Sequence, residues 1–250
     1  MGVCIGIFSP KGGVGKTLLA TNLAVAIGVG HHRKTILIDL NKGNGTADLL
    51  LNIDPEKSWA DLIPVISELT PELINFAVAE YRPGLDILAS PPEINSSDVL
   101  KLDSLSLLLD SIKREYDLVL LDAPASNDKF VCGILSLVDI QLFVITPDLP
   151  SLRSISRLIA VLQEKEKMSG LVINQYSPGA PINPDQIKDH LDQPLFGVLP
   201  MDPAGAWTNI SYGEPCVLCK SSKLGRSIRQ LSARLLSLID QRENQNISGG

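Results

Sequence analysis

Short runs of apolar residues recur along the chain, and segments with a different apolar spacing separate them. The runs are continuous rather than alternating, which is typical of strands buried on both faces of a parallel sheet. In the intervening segments, apolar residues recur three and four positions apart, which predicts amphipathic helices. The pattern therefore predicts an α/β fold. The predicted strands are residues 3–8, 35–39, 85–88, 118–122, 140–146, 171–175 and 195–200.

The first strand leads into a glycine-rich stretch, Ser9-Pro10-Lys11-Gly12-Gly13-Val14-Gly15-Lys16-Thr17, and a helical pattern begins at Leu18. Strand, glycine-rich turn and helix form the context of a phosphate-binding loop. Glycines let backbone N–H groups point at phosphate oxygens, and the helix N-terminus adds partial positive charge. We expect residues 12–18 to bind phosphates, with Lys16 on the β- and γ-phosphates and the Thr17 hydroxyl on Mg²⁺. The alternative, an ordinary glycine-rich turn, leaves the two lysines and the threonine unexplained.

Two acidic residues stand at the ends of predicted strands. Asp39 ends the strand 35–39, and Asp122 ends the strand 118–122. Because ligands gather at the carboxyl ends of parallel strands, we expect both carboxylates near the phosphate loop. There they would help to hold Mg²⁺ beside Thr17. Many buried strands end in Asp, so this interpretation depends on its combination with the glycine-rich loop.

Composition and charge narrow the class of protein. The chain has 250 residues, 44% of them hydrophobic, which is enough for one large domain with a core. Its formal net charge of −6 argues against non-specific binding of nucleic acid, although a local basic face would still allow DNA binding. No apolar run approaches the roughly 18 residues that cross a bilayer. Without a signal peptide before the first strand, we expect a cytoplasmic protein.

The loop departs from the common phosphate-loop pattern G-x-x-x-x-G-K-[ST]. Pro10 stands where that pattern has glycine, and a second lysine, Lys11, precedes the double glycine. The resulting K-G-G-x-G-K-T resembles the deviant Walker A loop of the ParA/MinD ATPases. The resemblance covers nearly the whole chain, with a switch I region from Asp39, a Walker B strand ending at Asp122 and a switch II region after it.

This resemblance implies a P-loop NTPase fold: a single doubly wound, mostly parallel sheet with helices on both faces. The ATPase domain would span residues 1–242, and the polar residues 243–250 would be a disordered tail. The implied cofactors are ATP and Mg²⁺, with Thr17, Asp39 and Asp122 directed towards the metal. In the family, the first lysine, here Lys11, reaches the nucleotide held by the partner subunit. The resemblance therefore implies a homodimer in the ATP state.

The switch I region differs from the family. Most members carry Asp-x-Asp, and the second Asp positions the attacking water, whereas this chain has Asp39-Leu40-Asn41. An amide can orient a water but cannot accept its proton or supply negative charge. We therefore expect ATP binding with slow hydrolysis, and a scaffold that binds ATP without hydrolysing it is the alternative. The candidate catalytic residues are Lys11, Lys16, Asp39, Asn41 and Asp122.

Two later features resemble the parts of the family that contact adenine. Asn174, near the end of the strand 171–175, resembles the asparagine that reads the base, and Pro200-x-Asp202 resembles the turn beside it. Each also has an ordinary interpretation, as a strand-end turn and as a helix cap. The residues after Asn174 lack the Asn-Lys-x-Asp pattern of GTPases, which favours ATP. Together with Ser9-Pro10-Lys11 and residues 149–153, the turn resembles the TadZ/CpaE branch, which localises pilus machinery.

We therefore predict an ATP-dependent switch that positions a cargo (pilus, flagellum, septum or partition complex) through a protein partner or localisation factor. A third possibility is a metal or iron–sulfur carrier that uses the pair Cys216-x-x-Cys219. A single pair more often fills apolar positions, so we favour that interpretation. Residues 243–250 lack the Leu, Phe and Lys residues of a MinD-type membrane-targeting helix, and we expect none.

Overall fold

The computed structural model describes residues 1–92, 100–160 and 167–248, with side chains described as far as residue 244. The strands are β1 (Val3–Phe8), β2 (Thr35–Asp39), β3 (Ala79–Arg82), β4 (Leu85–Leu88), β5 (Leu118–Asp122), β6 (Ile140–Ile145), β7 (Met168–Tyr176) and β8 (Leu195–Pro200). The α-helices are α1 (Lys16–Gly28), α2 (Ala47–Leu50), α3 (Pro71–Ala77), α4 (Leu102–Glu115), α5 (Lys129–Leu137), α6 (Leu149–Ala160), α7 (Pro184–Leu191), α8 (Pro203–Tyr212) and α9 (Lys223–Ser248). Two 3₁₀ helices comprise Trp59–Glu68 and Cys216–Leu218.

All these strands join one sheet in the order β3-β4-β2-β5-β1-β6-β7-β8. Neighbouring strands are parallel except for β3 and β4, which are antiparallel. The strand order and the placement of helices confirm the predicted doubly wound α/β fold. The sequence pattern did not reveal β3, because Ala79–Arg82 alternates partly buried and exposed residues on the edge of the sheet and contains no apolar run.

Helices cover both faces of the sheet, and alternate residues of each strand divide between two cores. In β1, Ile5 and Ile7 belong to the core that includes buried residues of α1 and α9. Cys4 and Phe8 point to the opposite core, which includes buried residues of α4, α5 and α6. Strands buried on both faces explain why the strands of the sheet interior appear as continuous apolar runs in the sequence.

The central strands bring the candidate site together. β5 lies between β1 and β2, and Asp122 is in register with Ile7 on one side and with Asp39 on the other. The glycine-rich loop leaves β1 at this same edge, since it connects β1 to α1. The topology therefore places the loop and both acids at the carboxyl edge of the sheet, as the sequence predicted.

The C-terminal helix α9 continues through Ser248, so its backbone extends past the predicted domain boundary at residue 242. That boundary and the disorder of the tail stay predictions. Within the described part of the chain, none of the helices combines the length and the apolar composition required to cross a lipid bilayer.

Candidate nucleotide site

The glycine-rich loop has a backbone shape that requires glycine at two positions. Gly13 and Gly15 have φ angles of 76° and 86°, in the left-handed region where other residues are strained. A Cβ atom on Gly15 would lie 2.5 Å from Nδ2 of Asn174, whereas Cβ atoms on Gly12 and Gly13 would meet nothing within 4 Å. The loop is therefore braced on the side of Asn174 and open beside Gly12 and Gly13, which suits close approach of a phosphate group.

Lys16 is the first residue of α1 and is largely buried, with 7% of its surface exposed. Burial lowers the pKa of its ammonium group, and the carboxylates of Asp122 and Asp39 act in the opposite direction. The first turn of α1 contains no acidic residue. The positive end of the helix and the Lys16 ammonium therefore combine at the point where the loop ends, and both favour an anion.

A chain of short hydrogen bonds joins the loop to the two acids. Thr17 donates its hydroxyl to Oδ2 of Asp122 at 2.6 Å. Asn41 donates its Nδ2 to the same oxygen at 2.7 Å and to Oδ1 of Asp39 at 2.8 Å. The structure thus brings together Lys16, Thr17, Asp39, Asn41 and Asp122, and their roles towards nucleotide and metal stay predictions.

Oδ1, the second carboxylate oxygen of Asp122, indicates whether this site could hold a cation. Asp122 is fully buried, and its Oδ1 has no hydrogen-bond partner among the described residues. Burial, and then the charge of Asp39, raise the pKa of Asp122 to about 7, against the opposing influence of Lys16, Thr17 and Asn41. A buried carboxylate with a free oxygen is poorly satisfied by the protein alone. Because a hydroxyl and carboxylates are suitable ligands or water acceptors for Mg²⁺, the residues fit that ion.

Asp39 is satisfied by the segment that follows it, residues 40–47, which includes the first residue of α2 and which we call the switch loop. Its Oδ1 accepts from the backbone N–H of Asn41 at 2.9 Å and from the Asn41 side chain. Its Oδ2 accepts from the backbone N–H groups of Thr46 and Ala47 at 3.0 and 3.1 Å. Burial raises the pKa of Asp39 although these hydrogen bonds oppose the shift. In this structure, therefore, the Asp39 carboxylate ties both ends of the switch loop to the end of β2.

Lys11 occupies a different environment from Lys16. Its Nζ forms an ion pair with Asp148, 2.8 Å from Oδ2 and 2.9 Å from Oδ1, and the two side chains are 35% and 37% exposed. The hydroxyl of Thr146 donates to the same carboxylate. Burial of Asp148 raises its pKa, but hydrogen bonds from Lys11, Thr146 and Ser151 outweigh this and leave the pKa below its usual value. Asp148 was not among the residues that the sequence predicted, and no partner for Lys11 within its own subunit was predicted either.

Two residues at the end of β7 brace the glycine-rich loop. Asn174 donates its Nδ2 to the carbonyl oxygen of Val14 at 2.8 Å, and Gln175 donates its Nε2 to that of Gly13 at 3.2 Å. Gln175 has a φ of 56°, an unusual conformation that turns the chain at this point. The predicted contact of Asn174 with adenine stays a prediction, and its hydrogen bond to the loop is an additional role.

The turn at Pro200 and Asp202 lies at the carboxyl end of β8, on the same edge as the loop. Asp202 caps α8 by accepting from the Gly205 N–H at 3.1 Å, and its other oxygen accepts from the Leu224 N–H at 3.1 Å. One carboxylate therefore fixes the starts of α8 and α9. The cap predicted at Asp202 is confirmed, and the position of Pro200 and Asp202 beside a base stays a prediction.

The cysteine pair does not form part of this site. Cys216 is buried, its thiol donates to Oδ1 of Asn22 at 3.2 Å, and burial raises its pKa to about 11. Cys219 is exposed, with its sulfur 3.1 Å from the Ser221 hydroxyl oxygen. The described residues include no group of three or more His, Cys, Asp or Glu side chains arranged to hold a metal ion. The pair therefore offers two sulfur atoms and no further protein ligand of these types from the described residues.

Comparison with known proteins agrees with this geometry. A family model described as the CobQ/CobB/MinD/ParA nucleotide binding domain matches residues 5–208. The chain belongs to this family. It is 25% identical to the septum site-determining protein MinD of Bacillus subtilis over 245 residues, which cover 94% of this chain and 90% of that protein.

Two solved structures extend the similarity to the whole fold. The ParA family ATPase of Chlorobium tepidum superimposes with a TM-score of 0.85 and 24% identity, covering 94% of this chain and 98% of that one. MinD of Pyrococcus horikoshii, solved with Mg-ADP, gives a TM-score of 0.82 and 25% identity, covering 96% and 98%. Members of the MinD/ParA family are ATPases. The Pyrococcus horikoshii protein binds Mg-ADP. The TadZ/CpaE branch stays a prediction.

Proposed function

We propose that this chain binds Mg·ATP and that the bound nucleotide controls its association with a second copy of itself. The observation that carries the proposal is the convergence of the glycine-rich loop, the Thr17 hydroxyl and the half-satisfied Asp122 carboxylate at one edge of the sheet. Lys11 adds a second cation on this loop, in a half-exposed position from which it could contact a neighbouring molecule.

The nucleotide would be held mainly through its phosphates. Backbone N–H groups of the loop and of the first turn of α1, together with Lys16, would bind phosphate oxygens. Mg²⁺, when bound, would neutralise phosphate charge beside Thr17. Asp122 is positioned to accept hydrogen bonds from its waters, and Asp39 could do so once one of its present donors leaves. Asn174, Pro200 and Asp202 would border the base, where the carbonyl oxygen of Asn174 could accept from an adenine amino group.

Lys11 would act between subunits. Two faces that each carry a nucleotide triphosphate repel each other unless cations lie between them. In the structure, Lys11 is paired with Asp148 of its own chain. To reach a phosphate on a partner subunit, Lys11 must exchange that carboxylate for phosphate oxygens. Because Lys11 would pair with Asp148 in the monomer and with phosphate oxygens in the ATP dimer, this change of partner is consistent with a nucleotide-dependent dimerisation switch.

Hydrolysis would be slow because of the chemistry of Asn41. An amide nitrogen donates hydrogen bonds and does not accept protons, and here it donates to both Asp39 and Asp122. The side-chain oxygen could accept a hydrogen bond from a water but could not remove its proton. A long-lived ATP dimer is therefore expected, and the second candidate, an ATP-bound scaffold without turnover, is its limiting case.

The central experiment measures molar mass by size-exclusion chromatography with light scattering, in ATP, in ADP and without nucleotide. The unmodified protein should be a dimer in Mg·ATP and a monomer otherwise. Lys11→Ala should still bind ATP but remain a monomer. Lys34→Ala is the matched control, because Lys34 is an exposed lysine before β2, at the opposite edge of the sheet. A monomer in ATP for the unmodified protein, or a dimer indifferent to Lys11→Ala, would refute the dimerisation switch.

Turnover and cargo need separate measurements. Phosphate release should be faster for Asn41→Asp than for the unmodified protein, and the lifetime of the ATP dimer should be shorter. If the unmodified protein releases no phosphate, the scaffold is the correct function. Affinity capture from lysate in the ATP state, compared with the ADP state, should identify the protein partner or cargo that we predict.

A further inference from the structure

The switch loop fills every acceptor position of Asp39. A carboxylate offers about four positions for hydrogen bonds. Four N–H groups occupy them here: two from Asn41, and one each from Thr46 and Ala47. Asp39 therefore cannot accept a hydrogen bond from a cation-bound water until one of these donors leaves.

Only one of the four donors can leave without moving the backbone. Three are main-chain N–H groups, and displacing them would require residues 41–47 to unfold from Asp39. The fourth is the side chain of Asn41, which can turn about its own χ angles. Its amide also donates to Oδ2 of Asp122, the oxygen that Thr17 contacts, while Oδ1 of Asp122 has no partner among the described residues. A single rotation would therefore free the first acceptor position on Asp39 and a further one on Asp122.

We propose that Asn41 competes with Mg²⁺ for Asp39 and Asp122, so that the metal binds well only together with a nucleotide. In the metal-free site, the Asn41 amide supplies hydrogen bonds to the carboxylates that a bound cation and its waters would otherwise satisfy. Phosphate oxygens beside Thr17 add the metal ligands that make displacement of Asn41 favourable. The inference rests on the proposed function, because it assigns a positioning role to a residue of that same site.

The chemistry of residue 41 makes the inference specific to this chain. An aspartate in the same place would present an oxygen, not an N–H group, to both acids. It could not donate to them when ionised, and it would add a third negative charge that favours a cation. Asn41 thus lowers the intrinsic affinity for free Mg²⁺ while it stabilises the metal-free fold of the switch loop.

The test measures binding of Mg²⁺ alone, without nucleotide, by calorimetry and by the shift of the melting temperature. Asn41→Ala removes the competing amide and adds no charge, so it should bind Mg²⁺ about tenfold more tightly than the unmodified protein, the equivalent of one charge-assisted hydrogen bond. Asn41→Asp should bind it more tightly still. Without Mg²⁺, both variants should melt at lower temperature, and Asn41→Asp at the lowest.

Asn44→Ala is the matched control, since Asn44 is an exposed residue of the same loop. It should leave both the Mg²⁺ affinity and the metal-free melting temperature close to those of the unmodified protein. If Asn41→Ala binds Mg²⁺ no more tightly than the unmodified protein, Asn41 does not compete for the site and the proposal is wrong. Asn41→Ala carries the test even if Asn41→Asp fails to fold.

Trp59 offers an independent readout. Its indole N–H donates to the backbone oxygen of Asp39 at 3.0 Å, and its side chain is buried. The chain has two tryptophans, so Trp207→Phe leaves Trp59 as the only one. In the Trp207→Phe background with Asn41→Ala, Mg²⁺ alone should change the Trp59 fluorescence. In the same background with Asn41 retained, Mg²⁺ alone should leave the Trp59 fluorescence unchanged, and Mg·ADP should change it. An equal response to Mg²⁺ with and without Asn41 would overturn the proposal.

These measurements are independent of dimerisation. Metal binding and Trp59 emission report on the monomer, whereas light scattering in ATP reports on the proposed function. A protein that dimerises in ATP but shows no competition by Asn41 would contradict this inference alone. A protein that shows the competition but stays a monomer in ATP would contradict the dimerisation switch alone.

Discussion

The ion pair between Lys11 and Asp148 should oppose ATP-dependent dimerisation, because it holds the lysine that would contact a partner's nucleotide. The perturbation that tests this is Asp148→Asn. Asparagine retains an oxygen that can accept from the Ser151 N–H, now 2.9 Å from Oδ1 of Asp148. The start of α6 should therefore be preserved while Lys11 loses its charged partner.

The expected change in the dimer dissociation constant follows from the solvent exposure of the Lys11–Asp148 ion pair. Both side chains are more than one third exposed, so the ion pair contributes only about 0.2–1 kcal/mol after screening by solvent. A dimer breaks two such pairs, which gives about 0.4–2 kcal/mol. Since about 1.4 kcal/mol corresponds to a factor of ten, Asp148→Asn should lower the dimer dissociation constant in ATP about two- to thirtyfold.

The assay is sedimentation equilibrium in Mg·ATP at several protein concentrations, at low and at high salt. High salt should reduce the difference between Asp148→Asn and the unmodified protein, because half-exposed ion pairs are screened. Asp240→Asn is the matched control, because it removes the ion pair between Asp240 and Arg33 and leaves Lys11 untouched. The side chains of Arg33 and Asp240 are 41% and 47% exposed, similar to the Lys11–Asp148 pair. If Asp148→Asn dimerises no more tightly, or more weakly, while Lys11→Ala abolishes the dimer, then Asp148 does not restrain Lys11.

Three other outcomes are expected. Lys16→Ala should weaken nucleotide binding at least about thirtyfold, because it removes the buried cation beside the phosphates, and near-normal affinity in a fluorescent-nucleotide titration would contradict the site. Asp122 has a raised pKa of about 7, so the folded state retains its proton between about pH 4 and pH 7 while the unfolded chain loses it. The metal-free protein should therefore lose stability as pH rises through that range, and urea unfolding of Asp122→Asn should show a weaker dependence. Cys216→Ser with Cys219→Ser should leave the metal content of the purified protein unchanged, and loss of bound zinc or iron would support the metal-carrier alternative.

The sequence predicted the centre of the fold because buried parallel strands produce continuous apolar runs. It failed at β3, an edge strand of four residues in which exposed Glu80 and Arg82 alternate with partly buried residues. Local pattern could not reveal this strand because only its antiparallel pairing with β4 defines it.

For a similar reason, the sequence predicted most residues of the candidate site and missed Asp148. Lys16, Thr17, Asp39 and Asp122 lie at strand ends or in the glycine-rich loop, where chain position determines their location. Asp148 was missed because its contact with Lys11 joins residues 137 positions apart. Asp148 also stands directly before α6, which begins at Leu149, and its carboxylate accepts from the Ser151 N–H.

In the proposed function, Lys11, which departs from the common phosphate-loop pattern, and Asn41, which departs from the switch I pattern of the family, would act on the same equilibrium. Lys11 and Asn41 are both satisfied within one subunit in this structure, by Asp148 and by the carboxylates of Asp39 and Asp122. A ligand can shift an equilibrium only by its difference in affinity for the two states. Each internal contact stabilises the metal-free single chain, and in the proposed ATP dimer each would have to be exchanged. Without these contacts, the dimer would need a smaller contribution from ATP, and Mg²⁺ or protein concentration alone could begin to assemble it. If the proposed function is correct, these contacts make assembly depend on ATP, which a positional switch requires.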